Sequence, residues 1–409
     1  MPRDFLPVCR PGLPAAEDLL PYLRQIDAAR HYTNRGPLAR LLEQRLAQTL
    51  GLPAHGLRTA SNGTSAIEIA IMAVAGPAKP DRPFALVPSY TFAATALAAE
   101  RLGYIPIFAD VRPDTWALDM DLAATHPRLH QIGLILPVAP YGRPPDLAGA
   151  EALAARTGIP VVLDAAACFE QLLGRPNLHG PNLHSPNLHG PNLHSPNLHS
   201  PNLHGPGLIS PTVPMTISFH ATKTFSTGEG GAVIWDNAAG QERVVRAANF
   251  GFNYSRRSES AGTNAKLSEF HAAVGLAMLD SFPQRRTDYA RTVAAWRKAS
   301  ATLPGRMHLP PDLASVYILW EAPDAASLIT AQDALTDADI DTRRWYEAGL
   351  HVQPHFAAPR QTTLPVTEDL GARLLGLPMA HDMDQKDMAR TVKTIQTALF
   401  AQASLQMQT

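Results

Sequence analysis

Cysteine is nearly absent: Cys9 and Cys168 are the two in 409 residues, so no disulfide framework can organise the chain. Charged residues make up only 17%, and the signs cancel to a formal net of −1. Such a chain has no field to draw it to nucleic acid or to an anionic membrane surface. No apolar run approaches the roughly 20 residues that span a bilayer, and the opening "MPRDFLPVCRPG" has no apolar signal core. The expectation is a soluble protein in the reducing cytoplasm, without a membrane or nucleic-acid partner. What is present is ample apolar material, 45% of residues, in a chain long for a single core, which points to two domains.

The apolar runs "FALVP", "GLILPVAP", "IPVVLDAAA", "MTISFHATK" and "GAVIWDN" alternate with longer stretches of helical spacing. Runs without polar alternation suit strands buried on both faces, so the chain reads as α/β with a mostly parallel central sheet flanked by helices. Ligands in such folds collect at the carboxyl ends of the strands. That rule directs attention to Asp164 after "VVL", to Lys223 after "ISF", and to the turn before the helix "TSAIEIAIMAVAG".

Lys223 stands in "SFHATKTFSTGEGGAVI", with its glycines after it. A phosphate-binding loop needs them before the lysine, so the segment reads instead as strand, lysine-bearing turn, strand. A solvated hairpin lysine is the plain alternative. Asp164 ends an apolar strand, where a carboxylate is costly unless a cation meets it; capping the helix that follows is the rival use. The turn Ser61, Asn62, Gly63, Thr64 starts an amphipathic helix whose N–H groups and dipole attract an anion such as phosphate, although many helices begin this way. A carboxylate for a ring nitrogen, an imine-forming lysine and a phosphate cup are together what pyridoxal 5'-phosphate requires.

These motifs, in this order, resemble the DegT/DnrJ/StrS family of sugar aminotransferases, which are fold type I pyridoxal-phosphate enzymes. The matching segments include "YTNRGPLARLLEQRLAQTLG", "ASNGTSAIEIAI", "VPSYTFAATALAAERLGYIPIFADVRPDTWALD", "DAAACFE", "GTNAKLSEFHAAVGLAMLD" and "GLPMAHDMDQKDM". The resemblance implies that Lys223 carries the cofactor as an imine, Asp164 holds its ring nitrogen and Phe92 stacks on its ring. Gly63, Thr64 and Ser218 would hold the phosphate, and Asn264 would reach the phosphate of a neighbouring subunit in a homodimer. His220, His351 and His355 are candidates for the substrate pocket; no metal site is expected there. "DAAACFE", "SFHATK" and "GTNAKLSE" are closest to the branch that aminates C4 of a dTDP-4-keto-6-deoxyhexose, with glutamate as donor. Ala167 departs from the family pattern, where a glutamine or histidine often stands three residues after the aspartate.

The expected organisation is an N-terminal arm over 1–30, a large cofactor domain over 31–250, and a linker helix with a smaller C-terminal α/β domain over 251–409. Six tandem "PNLH" units, with histidines at 179, 184, 189, 194, 199 and 204, form an insertion over 176–205. Proline every fifth residue excludes a helix. An exposed low-complexity loop, a short β-solenoid and a divalent-metal tract are the readings open to it, and no catalytic role is assigned. A regulator or scaffold that keeps the fold without the chemistry is the rival from another class. Intact Lys223 and Asp164 weigh against it.

Overall fold

The computed structural model describes residues 5–173, 209–253, 255–310, 313–357 and 364–406. The "PNLH" repeats lie outside them. Seven strands form the central sheet: β1 (Leu57–Ala60), β2 (Phe84–Pro88), β3 (Ile105–Ala109), β4 (Ile132–Ile135), β5 (Leu163–Asp164), β6 (Met215–Ser218) and β7 (Gly231–Ile234). β2 lies between β3 and β4, parallel to both. Parallel bridges Ile135 to Val161 and Val138 to Asp164 carry the sheet on to β5, which pairs in parallel with β6. β7 runs antiparallel between β6 and β1. The order is β3-β2-β4-β5-β6-β7-β1, with β7 alone reversed.

The unbroken apolar runs are explained by what covers them. Along β2, Leu86 belongs to one apolar layer and Ala85 and Val87 to the other; along β7, Ala232 and Ile234 face the first and Val233 the second. Successive side chains point to opposite faces of a strand, so a sheet covered on both sides needs apolar residues at every position. The first layer is closed by Leu38, Leu42 and Leu46 of the helix Pro37–Thr49 and by Leu147 and Leu153 of the helix Leu147–Thr157. The second is closed by the helix Gly63–Val74, through Ile67 and Ile71, and the helix Ala238–Ala248, through Val244 and Ala247.

A second core surrounds the antiparallel sheet of β8 (Arg306–His308), β9 (Ile318–Glu321) and β10 (Leu374–Leu377), in the order β10-β9-β8. Trp296, Trp320, Leu328, Leu375 and Ile395 fill it. Residues at the N-terminus join this core rather than standing apart: Leu6 is bridged to Ile340 and Cys9 to Met379. The helix Glu269–Ala299 serves both cores. Ala272, Ala273 and Leu276 pack in the first layer, and Tyr289, Val293 and Trp296 in the second core. Pro283, between these two halves, removes one intrahelical donor.

The start of that helix ties down another. Glu269 is buried, and its carboxylate accepts from the backbone N–H groups of Leu38 (2.7 Å) and Ala39 (2.9 Å), the first turn of Pro37–Thr49. Negative charge there also favours the helix dipole. Glu269→Ala strands two buried donors and should cost about 2–4 kcal/mol of stability. Glu269→Gln should cost less, as the urea unfolding midpoints of the two variants will show.

Candidate active site

Lys223 lies in the turn between β6 and β7. Phe219 donates its N–H to Gly230 (2.8 Å), Ala221 donates to Gly228 (2.8 Å), and Lys223 itself donates to the His220 carbonyl (2.8 Å). Gly228 adopts φ +84°, a conformation that glycine takes without strain. Phe219 and Phe225 bracket the lysine in sequence and are fully buried, their rings packed with Phe169 and Phe282 at centroid distances of 4.8–5.9 Å. The two rings pin the ends of the turn, and the lysine between them stays half-buried. Its Nζ donates to the phenol oxygen of Tyr317 at 2.8 Å.

Asp164 closes β5 and is 5% exposed. Its Oδ2 accepts from the Thr95 hydroxyl at 2.6 Å and its Oδ1 from the Ala166 N–H at 3.0 Å. Among the described residues no Lys, Arg or His forms an ion pair with it, and burial raises its pKa above the ordinary carboxylate range, against the pull of those hydrogen bonds and of Lys223. This carboxylate lacks a cationic partner, and it lies at the strand ends beside an amine.

The helix Gly63–Val74 begins on the same edge. Asn62 caps it, accepting from Ser65 N–H at 2.8 Å. A Cβ built on Gly63 would stand 2.9 Å from Ser218 Cβ, so glycine is what lets the helix start settle against the end of β6. Gly63, Thr64 and Ser218 are thereby brought together, with Lys223 five residues further along the chain. Phe92, 62% exposed, is the extended residue immediately before the helix Ala93–Glu100, three residues ahead of the buried Thr95. Asn264 is exposed and its Oδ1 accepts from Lys266 Nζ at 2.6 Å; the next residue, Ala265, receives the Ser61 N–H at 2.7 Å.

The three histidines are engaged elsewhere. His220 is exposed and bonds Thr222 at 2.8 Å. His351 is buried, with one ring nitrogen 2.7 Å from the Ser89 hydroxyl and the other 3.3 Å from Glu368. His355 pairs with Glu100 at 2.9 Å. None of these bonds involves Lys223 or Asp164.

Sequence reading missed Thr95 and an aromatic wall. Tyr141 stacks on Tyr346 (4.4 Å, 28°), and Tyr317 meets Tyr141 and Trp345 edge-on at 5.4 and 5.6 Å. Tyr141 holds φ 54°, rare for a side chain of its size. Burial pushes the Tyr141 and Tyr346 phenols well above their ordinary range, and the Asp164 charge adds to the effect at Tyr346. A cavity of about 430 Å³ opens between Thr91, Phe92, Arg343, Arg344 and Trp345.

The fold, with an amine and a buried carboxylate at its strand ends, defines an α/β group-transfer enzyme. The model of the DegT/DnrJ/EryC1/StrS aminotransferase family matches residues 15–175 and 212–396, breaking where the repeats lie. The chain belongs to this family. It is 30% identical over 407 residues to protein Rv3402c of Mycobacterium tuberculosis, covering 96% of this chain and 90% of that one. It is 26% identical over 401 residues to the dTDP-4-amino-4,6-dideoxy-D-glucose transaminase of Shigella dysenteriae, covering 95% and 97%. Among solved structures it is similar to DesI, crystallised in the presence of its TDP-sugar product, with TM-score 0.79, 28% identity, and coverage of 99% of this chain and 95% of that chain. The protein is an aminotransferase, and its cofactor is pyridoxal 5'-phosphate. The residues fit that group, since a protonated ring nitrogen is the partner that a buried, cation-free Asp164 lacks.

A carboxyl whose folded-state pKa is raised binds its proton more tightly folded than unfolded. Cofactor-free stability therefore falls as pH rises from the ordinary carboxylate range to the raised value, and above it the penalty is complete. In cofactor-free protein Asp164→Asn should raise the thermal midpoint at neutral pH by about 2 °C. It should also flatten the acid-side pH dependence in scanning calorimetry.

Proposed function

We propose that the protein transfers an amino group from glutamate to the ketone carbon of a nucleotide-linked sugar, C4 of a dTDP-4-keto-6-deoxyhexose, in the cytoplasm. The observation that carries this reading is the convergence of Lys223, Asp164 and the Gly63–Ser218 contact on one edge of the sheet. Relatives named for nucleotide-sugar transamination support the substrate class. So does the cavity, in which Arg343, its guanidinium 5.5 Å from the Trp345 ring, and Arg344 offer charge for a diphosphate.

When bound, the cofactor supplies an aldehyde that exchanges amino groups and a protonated ring that withdraws electrons from the reacting carbon. Asp164 keeps that ring protonated, and Thr95 and Ala166 fix the carboxylate for it. Gly63, Thr64 and Ser218 would hold the phosphate at the helix start. Phe92 would stack on the ring. Lys223 would hold the cofactor's aldehyde, and its Nζ would take the proton from the donor's α-carbon and give it up again within the same half-reaction. His220, His351 and His355 are the candidates for the substrate pocket, and His351 also holds Ser89.

The site is completed across a homodimer, with Asn264 donating to the phosphate held by a second copy. The cofactor domain spans residues 31–250, the arm 1–30 and the linker with the small domain 251–409.

Purified protein should be yellow, and Lys223→Ala should bind cofactor without the visible band. A band that survives would move the cofactor to another lysine. With Asp164→Asn, turnover should drop by about 10²-fold or more with the fold intact; near-normal turnover would remove Asp164 from its role. Subunit exchange between Lys223→Ala and Asn264→Asp proteins should restore activity up to half of the wild-type value per mixed dimer, because one of the two sites is rebuilt intact. Exchange verified by mass with no recovery would place Asn264 outside the partner's site.

A further inference from the structure

Lys223 Nζ has one hydrogen-bond partner of unexpected origin. Tyr317 sits immediately before β9, in the sheet of the second core, 94 residues away in sequence, yet its phenol oxygen accepts from Nζ at 2.8 Å. The ring is fixed from three directions. Tyr141 and Trp345 meet it edge-on, and its backbone N–H donates to Ser315 Oγ at 3.0 Å, while that hydroxyl donates back to the Tyr317 carbonyl at 3.1 Å. Nζ also lies 5.4 Å from the ring centroid, so the lysine rests beside the edge that carries the hydroxyl. A long, flexible side chain is thus held by an acceptor that cannot move with it.

We propose that Tyr317 is a positioning residue that holds the freed Lys223 amine between proton transfers; this rests on Lys223 being the cofactor lysine. A lysine displaced from the aldehyde would otherwise sample many rotamers, and each productive return would cost side-chain entropy. The phenol oxygen restricts that search. After Nζ removes the proton from the donor's α-carbon it bears one more N–H, and Tyr317 accepts a hydrogen bond from it without gaining or losing a proton. The same proton then leaves Nζ for the cofactor carbon that bore the aldehyde, and the amine returns to its starting protonation state. Ala167, three residues after Asp164, is a bare methyl and has no polar side-chain atom to do this instead.

The test compares two variants in cofactor-free and in loaded protein. Tyr317→Phe keeps the ring packed against Tyr141 and Trp345 and removes the acceptor; Tyr317→Gln removes the ring and keeps an acceptor. In cofactor-free protein, acylation of Lys223 by an amine-directed reagent, followed by peptide mass spectrometry, should be about three- to tenfold faster in Tyr317→Phe than in wild type. Labelling of Lys79 and Lys393 should be unchanged. In loaded protein the same variant should lose about tenfold in kcat with the KM for glutamate unaltered. A role confined to packing predicts the reverse ranking, with Tyr317→Phe near wild type and Tyr317→Gln impaired, and that result would overturn the proposal. The reciprocal measurement needs neither variant: Lys223→Ala should speed nitration of Tyr317 by tetranitromethane, and equal rates would also overturn it. If the visible band survives Lys223→Ala, it is the cofactor assignment that fails, while the labelling results still report the contact itself.

Discussion

Asp164 sits where β5 ends, buried in the sheet, its two oxygens held by one hydroxyl and one backbone N–H. A charge in that position is unfavourable until a cation arrives. The ladder partner of Asp164 in β6 is the neutral Thr216, and among the described residues no Lys, Arg or His forms an ion pair with the carboxylate. That unmet charge is what the proposed cofactor site rests on. The surrounding arrangement keeps it so: Thr95 is delivered by the helix after β2, and Ala166 by the turn after β5. Lys223 is brought near enough to lower the carboxyl's pKa without forming an ion pair with it.

The lysine depends on two kinds of packing. Its turn is pinned by Phe219 and Phe225, which share a cluster with Phe282 of the helix Glu269–Ala299. The end of its side chain is held by Tyr317, which leads into β9 of the second core while its ring packs against Tyr141 and Trp345. The same long helix runs through both cores, so the backbone and the tip of Lys223 are referred to one element. Arg286 on that helix pairs with buried Glu170 at 2.8 Å, beside Phe169, which adds a charged tie between helix and turn. Breaking such a pair from one side leaves a buried charge, so the tie constrains more than its net energy suggests.

Much of the fold was legible in the sequence because burial on both faces leaves a local mark. "FALVP" coincides with β2, and "MTIS" and "GAVI" coincide with β6 and β7. In "IPVVLDAAA" only Leu163–Asp164 forms a continuous strand, with Val161 joined to the sheet by its bridge to Ile135. The rule that ligands gather at carboxyl strand ends then selected Lys223, Asp164 and the Gly63 turn, each marked by its own neighbours in the chain. The side chains that complete the site carried no such mark. Thr95 lies 69 residues from Asp164 and Tyr317 lies 94 from Lys223, and each is a single hydroxyl in an unremarkable context. The partners of His351 and His355, which are Ser89, Glu368 and Glu100, were likewise invisible in the segment that contains the two histidines. Periodicity and composition report how deeply a residue is buried. Which hydroxyl meets which charge depends on strand order, helix placement and the seating of one core on the other, and these exist only once the chain has folded.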